Sequence, residues 1–254
     1  MKEFLIDLVR SADEIFDARY KILKNKSPND VLSEADLKLN EYFVNGIKKK
    51  YPTAKIIAEE SENEELSNDL TFVLDPLDGT CNFSFDIPLC GIQLAVLENK
   101  KPILSIIYLP NQDELYVAEK NKGVLLNGKR LKVNKDIKHN DGVLILSDFY
   151  KDEKDISLDS QYKLVESLRL DFLKTRLFGA ACNDFAYLAT SKAQAYICYY
   201  RNLWDIIPGL FMMEELGMVY KRINGEIYHF GDESLVVANN QETLDLIINK
   251  AKLL

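Results

Sequence analysis

The amino-acid sequence predicts a mixed α+β, α/β fold in two parts, an antiparallel, helix-flanked first half and an alternating α/β second half. Three observations predict it. The chain opens with amphipathic stretches at helical spacing. Short apolar runs separated by hairpin signals then crowd residues 55–130. From about residue 140 apolar strands alternate with helical stripes, the rhythm of α/β folds.

Each element has a local cause. Phe4, Leu5, Leu8, Val9, Ala12, Ile15 and Phe16 share one helical face, so residues 3–23 read as one amphipathic helix. Lys24 to Asn29 reads as a polar loop. A second helix starts near Ser33, with Asp36 three residues on as its capping-box partner. Ala35, Leu39, Phe43 and Ile47 form its buried stripe, and it ends before Tyr51-Pro52. Apolar strands follow at Lys55–Ala58, running into Glu59-Glu60, and at Thr71–Leu74, running into Asp75. Residues 89–97 and 103–109 read as an antiparallel pair joined at Asn99-Lys100-Lys101-Pro102, with another strand near 114–119. Asn127-Gly128 is a hairpin signal. Further strands are expected at 143–147, 174–178, 194–198, 218–221 and 234–238. Helices are expected near 160–168, 182–191, 206–216 and 241–252. The change of rhythm divides the chain into subdomains at 1–139 and 140–254.

Bulk properties narrow the chemistry. A chain of 254 residues buries a substantial core, and 47% apolar with 28% charged residues is an ordinary globular composition. A net charge of −8 argues against a generic nucleic-acid or anionic-membrane surface. It leaves an anionic small substrate open, because bound divalent cations reverse a local field. Cys81, Cys90, Cys182 and Cys198 form no Cys-x-x-Cys pair and only two histidines occur, so a Cys/His zinc site is not expected. Charges run through the N-terminal residues where a leader would be apolar, and no apolar run approaches the ~18–20 residues of a membrane span. The cytoplasm is the expected location.

The chemistry gathers at strand ends. An apolar strand delivers Asp75, Pro76 stiffens the turn, Asp78 projects a second carboxylate, and Gly79 lets the backbone approach a ligand closely. N–H groups of Gly79 and Thr80 at a following helix start form an anion site. Two carboxylates beside an anion cradle suit a hard divalent cation bridging protein and phosphate. The other reading is a capped strand–turn–helix junction. Glu59 and Glu60, taken alone, are solvated strand-end charges, but a strand ending there beside one ending in Asp75 brings acidic groups to one sheet edge. Asp205, within Trp204-Asp205-Ile206, reads as the N-cap of the helix carrying Leu210 and Phe211, a role that alone would explain it; a cap that reaches a metal is the other reading. Pro208 then falls in that helix's first turn, where a missing N–H costs little.

Ser33-Glu34-Ala35-Asp36, Ala58-Glu59-Glu60-Ser61, Asp75-Pro76-Leu77-Asp78-Gly79-Thr80-Cys81-Asn82-Phe83, Gly179-Ala180-Ala181 and Trp204-Asp205-Ile206 together resemble the inositol monophosphatase family of metal-dependent, typically lithium-sensitive sugar and nucleotide phosphatases. They stand in the family's order across nearly the whole chain. The resemblance implies a layered αβαβα sandwich of the sugar phosphatase type, commonly a homodimer, acting on a small phosphorylated metabolite. It implies two Mg²⁺ ions, or three if Glu59 reaches another. Glu59, Asp75 and the Leu77 carbonyl would hold the first; Asp75, Asp78 and Asp205 would hold the second. Asp36 and Thr80 would take a proton from the attacking water, with Glu59 also in the catalytic set, and Gly79 and Thr80 N–H groups would bind phosphate oxygens. No covalent phosphoenzyme is implied.

Two rivals are weighed against this. A haloacid-dehalogenase-like phosphatase uses Asp-x-Asp-Gly-Thr, whereas two residues separate Asp75 from Asp78 here. A non-catalytic regulatory binding protein on the same scaffold is opposed by the joint presence of Asp36, Glu59, Asp75, Asp78, Thr80 and Asp205. Substrate choice is less legible. Ala180 and Ala181 are expected on the substrate side. Cys198 stands where inositol-directed relatives usually place an acidic residue, and it reads as a substrate-side or a core thiol. Arg201 reads as a solvated charge or as the holder of a second phosphate. Inositol phosphate, fructose 1,6-bisphosphate, histidinol phosphate and nucleotide 3′-phosphates all stay open. Asp184 is expected to cap the helix after Gly179-Ala180-Ala181.

Overall fold

The computed structural model describes residues 1–16, 22–27, 30–61, 65–149, 156–199 and 202–254, with backbone only for 22–27, 30 and 31. In chain order the elements are α1 (Lys2–Arg10), α2 (Asp13–Phe16), β1 (Ile22–Ser27), β2 (Asp30–Ser33), α3 (Glu34–Lys50), β3 (Lys55–Ala58), β4 (Thr71–Asp78) and α4 (Thr80–Ser84). An antiparallel run follows: β5 (Gly91–Glu98), β6 (Lys101–Leu109), β7 (Glu114–Glu119), β8 (Gly123–Leu126) and β9 (Lys129–Arg130). The second half holds β10 (Val143–Leu146), α5 (Leu158–Leu168), β11 (Lys174–Arg176), α6 (Ala181–Ala189), β12 (Ala195–Tyr199), α7 (Leu203–Glu215), β13 (Val219–Lys221), β14 (Ser234–Ala238) and α8 (Gln241–Ala251).

β3–β9 form a seven-stranded sheet in sequential order, antiparallel throughout except for the parallel pair β3–β4. The second sheet runs β11-β10-β12-β14-β13, parallel on its β11/β10/β12 side and antiparallel beyond. Its strands alternate between two cores: Tyr196 and Cys198 point to one, Ile197 and Tyr199 to the other. β6 does the same, with Ile106 and Tyr108 on one side, Ile107 and Leu109 on the other. Apolar residues on both faces explain the near-continuous hydrophobic runs in the sequence.

Three cores stack five layers. Leu5, Val9, Leu39, Phe43 and Ile47 of the N-terminal helices pack on the outer face of the first sheet. α6 and α7 fill the space between the sheets, where Phe185, Leu210 and Met213 meet Tyr116 of one sheet and Tyr196 of the other. α5 and α8 cover the far face through Leu164, Leu168, Leu244 and Ile247. The order is αβαβα, as the resemblance implied. β3–β9 precede residue 139 and β10–β14 follow it, while the central helical layer packs against both sheets.

Several local expectations are corrected. The helix expected over 3–23 breaks after Arg10 and is last helical at Phe16, with β1 underway by Ile22. Of the stretch expected as a polar loop over Lys24–Asn29, residues 24–27 belong to β1, which pairs antiparallel with β2. The turn between β5 and β6 needs only Asn99 and Lys100, both left-handed, with Glu98 opposite Lys101. Arg201 lies outside the described residues.

Candidate active site

β4 does not stop at Leu74 but runs to Asp78 through a bulge: Asp75 pairs with Gln93 and Asp78 with Gly91, three residues against two. In a regular strand residues three apart face opposite sides. The extra residue restores the parity, so Leu77 joins the outer core while Asp75 and Asp78 face the central helices. The Asp75 Oδ1 accepts from the Leu77 N–H at 3.0 Å, which closes the bulge. The parallel neighbour β3 ends beside it, with the Glu59 N–H donating to the Leu74 carbonyl at 3.3 Å.

Two helix starts complete the cluster. Asp36 is the third residue of α3, and its Oδ2 accepts from the Ser33 N–H (2.7 Å) and Ser33 Oγ (2.6 Å). Asp205 is likewise the third residue of α7, accepting from the Asn202 N–H at 3.0 Å. Asn202 is therefore the N-cap, and Asp205 is its reciprocal partner rather than the cap the sequence suggested. This moves Pro208 out of the first turn into the helix interior, where it denies the Trp204 carbonyl its usual donor. Asp184 does not cap α6 either; the cap position is Ala180, and Asp184 lies buried one turn in.

Asp75, Asp78 and Asp205 are all buried, and each offers a carboxylate oxygen within 4.8 Å of the others. Burial, then the charges of Glu59, Asp78 and Asp205, push the Asp75 carboxyl well above the usual carboxylate range. Among the described residues, the charged groups that raise it are all carboxylates. Cys90 and Cys182 flank the cluster; burial first, then Asp78, pushes Cys90 up to about 12 and Cys182 well above the ordinary thiol range. Both are neutral thiols, unsuited to nucleophilic attack at neutral pH.

Asp36 reaches this cluster through Thr80, whose Oγ1 lies 2.7 Å from Asp36 Oδ1 and 3.1 Å from the Leu77 carbonyl. One hydroxyl proton serves one acceptor well, and the shorter bond goes to Asp36. Gly79, at φ +86°, sets the turn before α4. A Cβ there would lie 2.8 Å from the Leu89 carbonyl and 2.9 Å from Ala180 Cβ, so the start of α6 sits against the turn. Asn82 fixes that contact by donating to the Leu89 (2.8 Å) and Phe178 (2.7 Å) carbonyls. Cys198 is buried in the central core with Ala180, Ala181 and Tyr228.

Sequence reasoning missed Gln93 and the α6 N-terminus as contributors. The Gln93 amide and the Cys182 N–H both donate to Asp78 Oδ2. The signal was present, since Gln93 is the one polar residue in Ile92–Leu97.

Five layers with acidic strand ends facing the central helices fit a phosphoric monoester hydrolase. The chain belongs to the inositol monophosphatase family, whose family model matches residues 1–253. It is 26% identical over 250 residues to inositol monophosphatase 1 of Homo sapiens, covering 94% of this chain and 89% of that protein. It is 25% identical over 241 residues to the fructose-1,6-bisphosphatase/inositol-1-monophosphatase of Thermotoga maritima (93% and 90%). It is 30% identical over 194 residues to Nus factor SuhB of Xylella fastidiosa (76% and 69%). Among solved structures, the Thermotoga maritima IMPase superposes with a TM-score of 0.87 at 24% identity, over 99% of this chain and 96% of that one. An IMPase/NADP phosphatase complexed with Mg²⁺ and phosphate matches at 0.83 and 19% (98% and 94%). A LiCl-soaked inhibitory complex of a staphylococcal inositol monophosphatase matches at 0.83 and 20% (98% and 93%). Family members are phosphoric monoester hydrolases, and phosphatase chemistry is the activity of this scaffold.

Proposed function

We propose that this chain hydrolyses small phosphate monoesters, inositol and sugar phosphates first among them, at a Mg²⁺ site built from Glu59, Asp75, the Leu77 carbonyl, Asp78 and Asp205. The observation that carries the reading is the buried trio Asp75, Asp78 and Asp205, with oxygens within 4.8 Å of one another. Mutually repelling buried carboxylates call for a cation, and an all-oxygen donor set fits a hard one such as Mg²⁺. Glu59, Asp75 and Leu77 would hold one ion, Asp75, Asp78 and Asp205 a second, with Glu59 the group available to a third. Bound Mg²⁺ supplies charge neutralisation at the phosphate and acidifies the attacking water.

The chain's own residues manage the proton and the phosphate. Thr80 Oγ1, with its hydrogen directed at Asp36 Oδ1, accepts a proton from the water as it passes its own to Asp36. The two Ser33 donors on Asp36 Oδ2 hold that carboxylate in place for the transfer. The Gly79 and Thr80 N–H groups orient phosphate oxygens, and Ala180 and Ala181 border the substrate. Cys198, buried as a thiol, offers no carboxylate to a vicinal diol, which supports a substrate range wider than inositol phosphate alone. A cytoplasmic homodimer inhibited by Li⁺ is the setting this reading proposes.

Phosphate release from inositol phosphate, fructose 1,6-bisphosphate, histidinol phosphate and a nucleotide 3′-phosphate, with Mg²⁺ or EDTA, tests it. The expected result is release from at least one ester that requires Mg²⁺ and falls with added Li⁺. No release from any of them in Mg²⁺ would favour the regulatory binding reading.

A further inference from the structure

β5 sends Ile92, Leu94 and Val96 to the outer core and Ala95 and Leu97 toward α7. Gln93 breaks the apolar pattern on the α7 side, fully buried and paired with Asp75 in the ladder. Its Nε2 donates to Asp78 Oδ2 at 3.1 Å and to the Asp205 carbonyl at 3.3 Å. Both partners are acceptors, so the amide orientation is set by chemistry: an oxygen in that place would face two oxygens. Among the described residues Gln93 Oε1 accepts no hydrogen bond, so the side chain's bonds there all go to these two residues.

The Cys182 N–H, from the start of α6, donates to the same Asp78 Oδ2. Two donors on one oxygen hold the carboxylate in one orientation. The second Gln93 bond ties the first turn of α7 to the first sheet at the residue that carries the Asp205 carboxylate. One neutral side chain thus couples the Asp78 carboxylate of the first half to the Asp205 backbone of the second, and adds no charge to a site that already holds Glu59, Asp75, Asp78 and Asp205.

We propose that Gln93 is a positioning residue of the cation site, fixing Asp78 and Asp205 relative to each other through its amide. The inference rests on the reading of the carboxylate trio as a Mg²⁺ site. Calorimetric Mg²⁺ titration of the wild type and Gln93→Met, with melting of the metal-free proteins alongside, tests it. Methionine keeps the volume and removes the donor. The expected result is Mg²⁺ affinity weakened by about 10–100-fold, in the range of lost outer-shell contacts, whatever fall in the metal-free melting temperature the two lost hydrogen bonds cause. Should that variant not fold, Gln93→Asn, whose shortened amide cannot reach both acceptors, carries the same expectation. A folded variant that binds Mg²⁺ like the wild type, with only its metal-free stability lowered, would make Gln93 a packing residue and overturn the proposal. If the wild type itself takes up no Mg²⁺, the site reading falls first and the inference with it.

Discussion

Asp75 shows how one side chain sets the behaviour of a site. Burial, then Glu59, Asp78 and Asp205, raise its pKa in the folded protein above the unfolded value. A group shifted in this direction stabilises the fold where it is protonated, and that contribution is lost as pH rises through the raised folded pKa. The metal-free protein is therefore expected to lose stability on going from mildly acidic to alkaline solution. Mg²⁺ competes with the proton for the same oxygens, so the cation stabilises more as pH rises. The increase in melting temperature on adding saturating Mg²⁺ should be larger at about pH 8 than at about pH 5.5. An increment independent of pH would contradict the assignment of Asp75 as a ligand.

Elements carry the proposed ligands to one place. β4 needs its bulge to turn Asp75 and Asp78 to the same side, and α3 and α7 each place an aspartate at the third helical position. The Ser33–Asp36 capping box was legible in the sequence, because its partners are three residues apart and its energetics are local. The bulge was not, because it depends on the register against Gln93 and Gly91, which sequence spacing does not encode. The same distinction explains Asp205: Trp-Asp before an apolar stripe signals a helix start, but which residue caps it depends on the approach of Asn202. α6 and α7 must also pack closely, and Gly209 permits it, since a Cβ there would lie 1.9 Å from Phe185 Cδ2. Gly209→Ala should force the two helices apart and shift both the Asp205 carboxylate and the Cys182 N–H. The expected outcome is weaker Mg²⁺ binding together with a lower melting temperature, by calorimetry and circular dichroism. Unchanged Mg²⁺ affinity would mean that the helix contact does not set the site.

At the scale of the whole molecule, one site draws on residues from 36 to 205, and the layering brings them together. The second-half strands and helices were legible because two-faced apolar strands and amphipathic helices repeat over many residues, as in β12, α8 and β14. The N-terminal segment was misread because its apolar spacing continues past Phe16 while the chain has turned into β1 by Ile22. Gln93 went unread because a lone polar residue in an apolar strand carries no motif; only the fold brings it to Asp78 and Asp205. In the proposed function, carboxylates from both halves form a single cation site serving phosphate-ester hydrolysis. Mg²⁺ titration of phosphate release by the wild type and by Asp205→Asn tests this, because Asp205 is the proposed ligand contributed from the far half. EDTA is expected to abolish wild-type release, and Asp205→Asn to need far more Mg²⁺ and turn over severely more slowly. Wild-type release that persists in EDTA, or an Asp205→Asn variant with an unaltered Mg²⁺ dependence, would contradict it.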